Sequence, residues 1–178
     1  MEVKINNSKL SLVCGDITKQ KTEAIVNAAN PTLLGGGGVD GAIHRAAGPG
    51  LLEECKKLGG CKPGEAKITS GHNLFAKYVI HTVGPVWRGG GENEREVLEM
   101  CYRNSLELAE KNNIKTISFP SISTGAYRFP LKEASEIALK TVISYLRGNT
   151  KIKEVFFVLF DEKTYKVYEE SLKEIVNI

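Results

Sequence analysis

Ala24-Ile-Val-Asn-Ala-Ala-Asn30-Pro31 is followed, after Thr32-Leu-Leu34, by Gly35-Gly-Gly-Gly38-Val39-Asp40-Gly41-Ala-Ile-His-Arg-Ala-Ala-Gly48. Ala24–Asn27 has the apolar, β-branched character of a short strand, and the stretch from about Asp40 to Gly48-Pro49 has the spacing of a short helix. Strand, glycine loop and helix in that order open an α/β unit. Four consecutive glycines leave their backbone N–H groups unshielded and free to take positive φ. Ahead of a helix N-terminus, such a loop suits a phosphate, held by amides and the helix dipole. Alone, the same run reads equally well as a flexible surface loop.

Working outward, short apolar runs alternate with longer helical patterns. Strands are predicted at Val3–Ile5, Leu10–Cys14, Ala66–Ser70, Tyr78–Val83, Thr116–Phe119 and Val155–Leu159. Tyr78–Val83 and Val155–Leu159 are apolar on both faces, as strands covered by helices on each side must be. From Asn93 to Asn112-Asn113, Val97, Leu98, Cys101, Tyr102, Leu108 and Ala109 recur at helical spacing. Further helices are predicted over about Leu131–Leu146, stopped by Gly148, and about Glu162–Val176. No linker or repeat interrupts the pattern, so residues 1–178 are expected to form one α/β domain.

Polar and glycine-rich segments follow the strands: Cys14-Gly-Asp-Ile17, Asn27-Ala-Ala-Asn30 with the glycine run, Pro120-Ser-Ile-Ser-Thr-Gly-Ala-Tyr127, and Phe160-Asp161. In an open α/β sheet, ligands bind outside the carboxyl ends of the strands, so these four loops are expected to share a pocket. Ser123-Thr-Gly-Ala-Tyr127 is a second phosphate-competent loop, and two such loops suggest a diphosphate gripped from both sides. No Gly-Lys-Ser/Thr follows either loop, and the glycines lack dinucleotide-fold spacing. Asn30 can direct a sugar hydroxyl or a water. Asp40 can orient or deprotonate water, or simply cap a helix. Asn27 and Asn30 have a plain alternative as partners of loop backbone. Asp16 could accept from an exocyclic amine or serve as a turn residue after Gly15. Phe160 could stack on a base or belong to the core.

Other chemistries find no support. His81 lies within an apolar strand and reads as a hydrogen-bonded core residue. His44 lies one turn beyond Asp40 and is expected to pack against the sheet, and His72 sits in a loop. No Ser or Cys is coupled to a His base. Cys14, Cys55, Cys61 and Cys101 form no C-x-x-C pair and no zinc spacing, so reduced thiols and no metal are expected. The net charge of +3 is spread along the chain, which argues against a nucleic-acid surface. Val155–Phe160, the longest apolar run, is far short of the ~20 residues a membrane span needs. The N-terminal residues do not resemble a signal peptide, so a cytoplasmic location and no membrane partner are expected. Nothing in the sequence suggests more than a monomer.

Together these motifs resemble a macrodomain. Gly15-Asp-Ile-Thr18, Ala24 to Pro31, the stretch from Gly36 to Gly48, Gly64-Glu-Ala66, Val79 to Trp87 and Phe119 to Tyr127 follow that family's order nearly end to end. The Asn30 and Gly-Gly-Gly-Val-Asp40 arrangement is similar to the MacroD-type hydrolases. The resemblance implies a three-layer α/β/α fold around a mixed sheet of six or seven strands, ADP-ribose as ligand, and no cofactor. By position, Asp16 would hold the adenine amino group, the Ile17 backbone a ring nitrogen, and Phe160 the adenine face. Gly36, Gly37, Gly38 and Val39, with Ser123, Thr124, Gly125, Ala126 and Tyr127, would wrap the diphosphate through backbone amides. Asn27 and Asn30 would contact the distal ribose, and Asp40 would orient the attacking water near its anomeric carbon, with Asp40 or a substrate phosphate as the base. His72, Phe75 and Arg128 depart from the family pattern, the last at the pocket rim. The activity implied is metal-independent hydrolysis of ester-linked ADP-ribose on Asp or Glu of modified proteins, and of O-acetyl-ADP-ribose. The alternative is a non-catalytic reader of ADP-ribosylated proteins.

Overall fold

Ile25 and Val26 are neighbours on one strand, and both are fully buried. Successive side chains point to opposite faces of a sheet, so helices must cover both. In the computed structural model, which describes residues 1–178, they do. The elements run β1 (Glu2–Ile5), β2 (Ser8–Cys14), a 3₁₀ turn (Ile17–Lys19), β3 (Ala24–Ala29), α1 (Gly38–Ala47), α2 (Pro49–Lys56), β4 (Ala66–Ser70), β5 (Tyr78–Val83), α3 (Glu94–Lys111), β6 (Thr116–Phe119), α4 (Leu131–Arg147), β7 (Glu154–Leu159) and α5 (Glu162–Val176). The seven strands lie in the order β1-β2-β7-β6-β3-β5-β4. The five inner strands are parallel, and β1 and β4 run antiparallel at the edges, giving the expected mixed sheet.

One face carries α1 and α2, where Ile25, Val79 and Val83 meet Ile43, Leu51 and Cys55. The other carries α3, α4 and α5 over Val26, Ile80, Phe119 and Phe157. Tyr102 and Tyr168 reach into this larger core, with Phe119 and Phe157 stacked at 5.7 Å between them. Full burial of such side chains stabilises the fold by roughly 1.5–3 kcal/mol each.

Three boundaries differ from the sequence expectation. β3 runs on to Ala29, so Asn27 lies inside the sheet, paired with His81, and not in the loop beyond it. α1 begins at Gly38 with Gly37 as its cap residue, so Asp40 is the third helical residue and does not cap. Gly48-Pro49, expected as a stop, is also a start. Gly48 takes φ +82° to close α1, and Pro49 then opens α2 at a position where its missing N–H costs nothing.

The loop between β5 and α3 is tied down by a single carboxylate. Buried Glu94 accepts backbone N–H bonds from Arg88, Gly90 and Glu92 at 2.9, 2.8 and 2.6 Å. Burial alone would raise its pKa, but these donors outweigh burial and hold it at about 2, against an ordinary 4.5. The folded chain therefore prefers the ionised form. That stability is complete above pH 4.5 and is lost as pH falls through about 2. Urea midpoints across this window should fall for the wild type and depend less on pH in Glu94→Gln, which should also be less stable at neutral pH. Parallel acid profiles would remove Glu94 from this role.

Candidate functional site

From β3 the chain turns outward to β5 and β4, whereas from β6 it crosses back to β7. A crevice must open between the carboxyl ends of β3 and β6, where the connections diverge. A cleft of about 340 Å³ lies there, walled by the glycine loop on one side and the β6–α4 loop on the other. Gly36, Gly37, Gly38 and Val39 form the first wall, and Ser123, Gly125, Ala126 and Tyr127 the second. The arrangement presents unshielded amides and the N-terminus of α1, which favours an anion.

Glycine is required where the loop folds onto α1. A Cβ on Gly41 would stand 2.5 Å from the Gly36 carbonyl oxygen. A Cβ on Gly36 would lie 3.1 Å from Asp40 Oδ2 and 3.4 Å from Asn30 Nδ2, so these two side chains flank Gly36 in the cleft wall. Asn30 is itself held. Its Nδ2 donates to Gly35 O at 2.8 Å, and its Oδ1 accepts from Thr32 Oγ1 and Leu33 N. The loop-bonding alternative for Asn30 is therefore realised, and it fixes the side chain within the cleft.

The second wall is braced from the core. Tyr102 Oη donates to Pro120 O and accepts from Ile122 N, while Tyr168 Oη donates to Ser121 Oγ at 2.8 Å. Ser123 takes a φ of +66°, and Phe129 N donates to Ser123 O to close the loop. Gly84, at the end of β5, must lack a side chain because a Cβ would overlap Ser123 Oγ and lie 2.6 Å from Ile122 Cγ2. The Thr124 hydroxyl turns into the loop and donates to Ser121 Oγ at 2.8 Å.

Asp40 is buried beneath the glycine loop. Its Oδ1 accepts from Asn27 Nδ2 at 2.9 Å and lies 3.4 Å from His44 Nε2. Burial raises its pKa above the ordinary 3.8, opposed by the Asn27 hydrogen bond and by the His44 charge. Asn27 is fully buried and does not face the cleft, contrary to the sugar contact expected of it. Because β3 continues past it, its side chain shares the inward face of Ile25 and Ala29 and meets Asp40 from below. His44 faces Asp40 one helical turn away, its side chain largely buried.

Asp16, Ile17 and Phe160 lie at one end of this edge, outside the cleft walls. Gly15 N donates to Leu159 O, setting the Asp16 loop beside Phe160. Asp16 is exposed and caps the 3₁₀ turn through Thr18 N and Thr18 Oγ1, whose hydroxyl bond, ahead of the backbone bond, lowers its pKa. Ile17 is buried, but Phe160 is 84% exposed, which overturns the core reading. Two strand spacings separate β7, which Phe160 follows, from β3, and three separate β2, which Asp16 follows, or about 10 and 14 Å. Ser121 and Ile122 line the cleft as part of the Pro120–Tyr127 loop expected there, whereas Gly84, not expected as a lining residue, had only its place after a strand as a signal.

The fold and this cleft define an anion-accepting α/β protein with a carboxylate beside its amide-walled site. The chain belongs to the Macro domain family, whose sequence model matches residues 26–138. It is 53% identical to ADP-ribose glycohydrolase MACROD2 of Xenopus laevis over 97% of this chain and 43% of that protein. It is 52% identical to an O-acetyl-ADP-ribose deacetylase of Cronobacter turicensis over 93% of this chain and 97% of that protein. A solved Oceanobacillus iheyensis macrodomain mutant with ADPR superposes with a TM-score of 0.96 at 47% identity, covering 100% of this chain and 99% of that one.

The raised pKa of Asp40 has a stability consequence. The folded state binds the proton more tightly than the unfolded state. The stabilisation this gives is complete below pH 3.8 and is lost as pH rises through the folded value. At neutral pH the buried charge therefore weakens the fold. Asp40→Asn should melt at a higher temperature than the wild type at neutral pH, and the difference should shrink in acid. A variant that melts lower at neutral pH would contradict this account of the carboxylate.

Proposed function

We propose that this chain binds ADP-ribose across the cleft and hydrolyses esters formed on its distal ribose. The substrates are ADP-ribose joined to Asp or Glu side chains of modified proteins, and O-acetyl-ADP-ribose. The observation that carries this reading is the pairing of Asp40 and Asn30 around Gly36, at the sugar end of a cleft whose walls suit a diphosphate. The names of the related deacetylase and glycohydrolase support it.

In this reading the adenine lies at the exposed end, between Asp16 and Phe160. The amides of Gly36 to Val39 and of Ser123 to Tyr127 hold the two phosphates. The distal ribose reaches Asn30 and Asp40. Asn30, locked by Gly35 O and Thr32, directs the sugar or a water. Asp40, its basicity raised by burial, accepts a proton from that water as it attacks the ester. Water adds to the ester carbon, the ribose oxygen departs with a proton, and the products are the free acid and ADP-ribose. General-base help of this kind contributes roughly 10²–10⁴-fold, and no metal is invoked.

Turnover of both esters, with ADP-ribose binding followed by calorimetry, tests the reading. Asp40→Ala should lower turnover by about 10²-fold or more while leaving binding largely in place. Phe160→Ala should weaken binding by about two- to tenfold. Because the base must be ionised, turnover should fall with acid along a limb centred above 3.8. Tight binding with hydrolysis of neither ester would leave a reader module instead.

A further inference from the structure

Beneath Asp40 lies a chain of buried polar groups that never reaches the cleft. Asn27 Nδ2 stands 2.9 Å from Asp40 Oδ1 and 3.1 Å from His81 Nδ1. His81 Nε2 lies 2.9 Å from Thr69 Oγ1 and 3.8 Å from Cys55 Sγ. His81 and Asn27 are fully buried, and Thr69 is nearly so. We infer that His81 is a positioning residue for Asp40: by presenting an unprotonated Nδ1 to Asn27, it fixes which end of that amide faces the carboxylate.

The argument is one of donors and acceptors. The amide NH₂ of Asn27 has two hydrogens, and one serves Asp40. The other can serve His81 only if Nδ1 offers a lone pair, which places the ring proton on Nε2, aimed at Thr69 Oγ1. A ring protonated at Nδ1 would meet NH₂ with N–H. Asn27 would then turn its oxygen to the ring, and an ionised Asp40 would lose its donor or sit against a carbonyl. The observed orientation leaves Asn27 Oδ1 buried without a partner, so it is held against a desolvation cost. Burial, and secondarily the charge of His44, pushes the His81 pKa down to about 3, which keeps the ring neutral. β3 and β5 enforce the pairing, since Asn27 and His81 are direct register partners.

The inference rests on the hydrolase reading, and two measurements separate them. In wild-type protein at neutral pH, the ¹⁵N shifts of His81 should show the neutral ring with its proton on Nε2. A proton on Nδ1 overturns the inference whatever the activity. His81→Leu should lower turnover by about tenfold with ADP-ribose affinity nearly unchanged, and His81→Gln, which can accept from Asn27 and donate to Thr69, should recover most of the loss. In an Asn27→Ala background, His81→Leu should cost little more, because its effect passes through Asn27. Leu and Gln variants of equal activity, or losses that multiply across the two sites, would overturn it. If the Leu variant does not fold, Thr69→Val takes its place and should slow turnover. A wild type that hydrolyses neither ester takes both readings down, whereas an active wild type with unimpaired His81→Leu defeats only this one.

Discussion

A carboxylate withheld from water at the first turn of α1 is the constraint around which the rest is arranged. Removing Asp40 from solvent costs free energy unless donors replace the lost water. Asn27 supplies one directly, and the N-terminal turn of α1 supplies favourable field. Both depend on β3 and α1 meeting at one distance, which the glycine loop sets. Gly41 allows the chain to double back where any side chain would collide with the Gly36 carbonyl, and a side chain on Gly36 would crowd Asp40 and Asn30. The glycine run is thus the turn that brings a strand asparagine under a helix aspartate.

The fold was largely legible because its signals are local. Apolar runs such as Tyr78–Val83 cannot be half-exposed strands, and the helices after Asn93 and Leu131 carry their own periodicity and stops. What misled was punctuation. Gly48-Pro49 reads as an end, yet Pro49 is equally suited to begin α2, and nothing nearby distinguishes the two. The site was legible as a set of loops after strands, and less so as a set of side-chain directions. The resemblance implied a ribose contact for Asn27, and ending β3 two residues early hid that its side chain lies on a buried face. In a strand, that error moves a residue from a loop to a buried face. The His44 contact with Asp40 follows helical i,i+4 spacing, whereas the His81 contact joins Asn27 to a residue 54 positions away, which no spacing rule reveals.

The two ends of the candidate site differ in kind. Asp16 and Phe160 stand exposed at the ends of β2 and β7, whereas Asp40 and Asn30 lie inside the β3 end. An exposed aromatic and a solvated carboxylate can contribute binding without demanding exact desolvation. A buried carboxylate has the raised proton affinity that base catalysis uses. Attraction gained at the first end can hold a reacting group against the second, which is how remote contacts lower a barrier.

Walling the cleft with backbone amides also suits the buried carboxylate. An arginine or lysine in the cleft would neutralise a diphosphate, but it would also pair with Asp40 and hold it in its unreactive, low-pKa form. Glycine amides and a helix terminus offer donors with only partial charge and fixed direction, so they favour an anion without strongly quenching the base. The cleft lining contains no Lys, Arg or His. A cleft wall of uncharged donors and a buried carboxylate of raised proton affinity therefore go together, with glycines standing where a charged side chain would pair with Asp40.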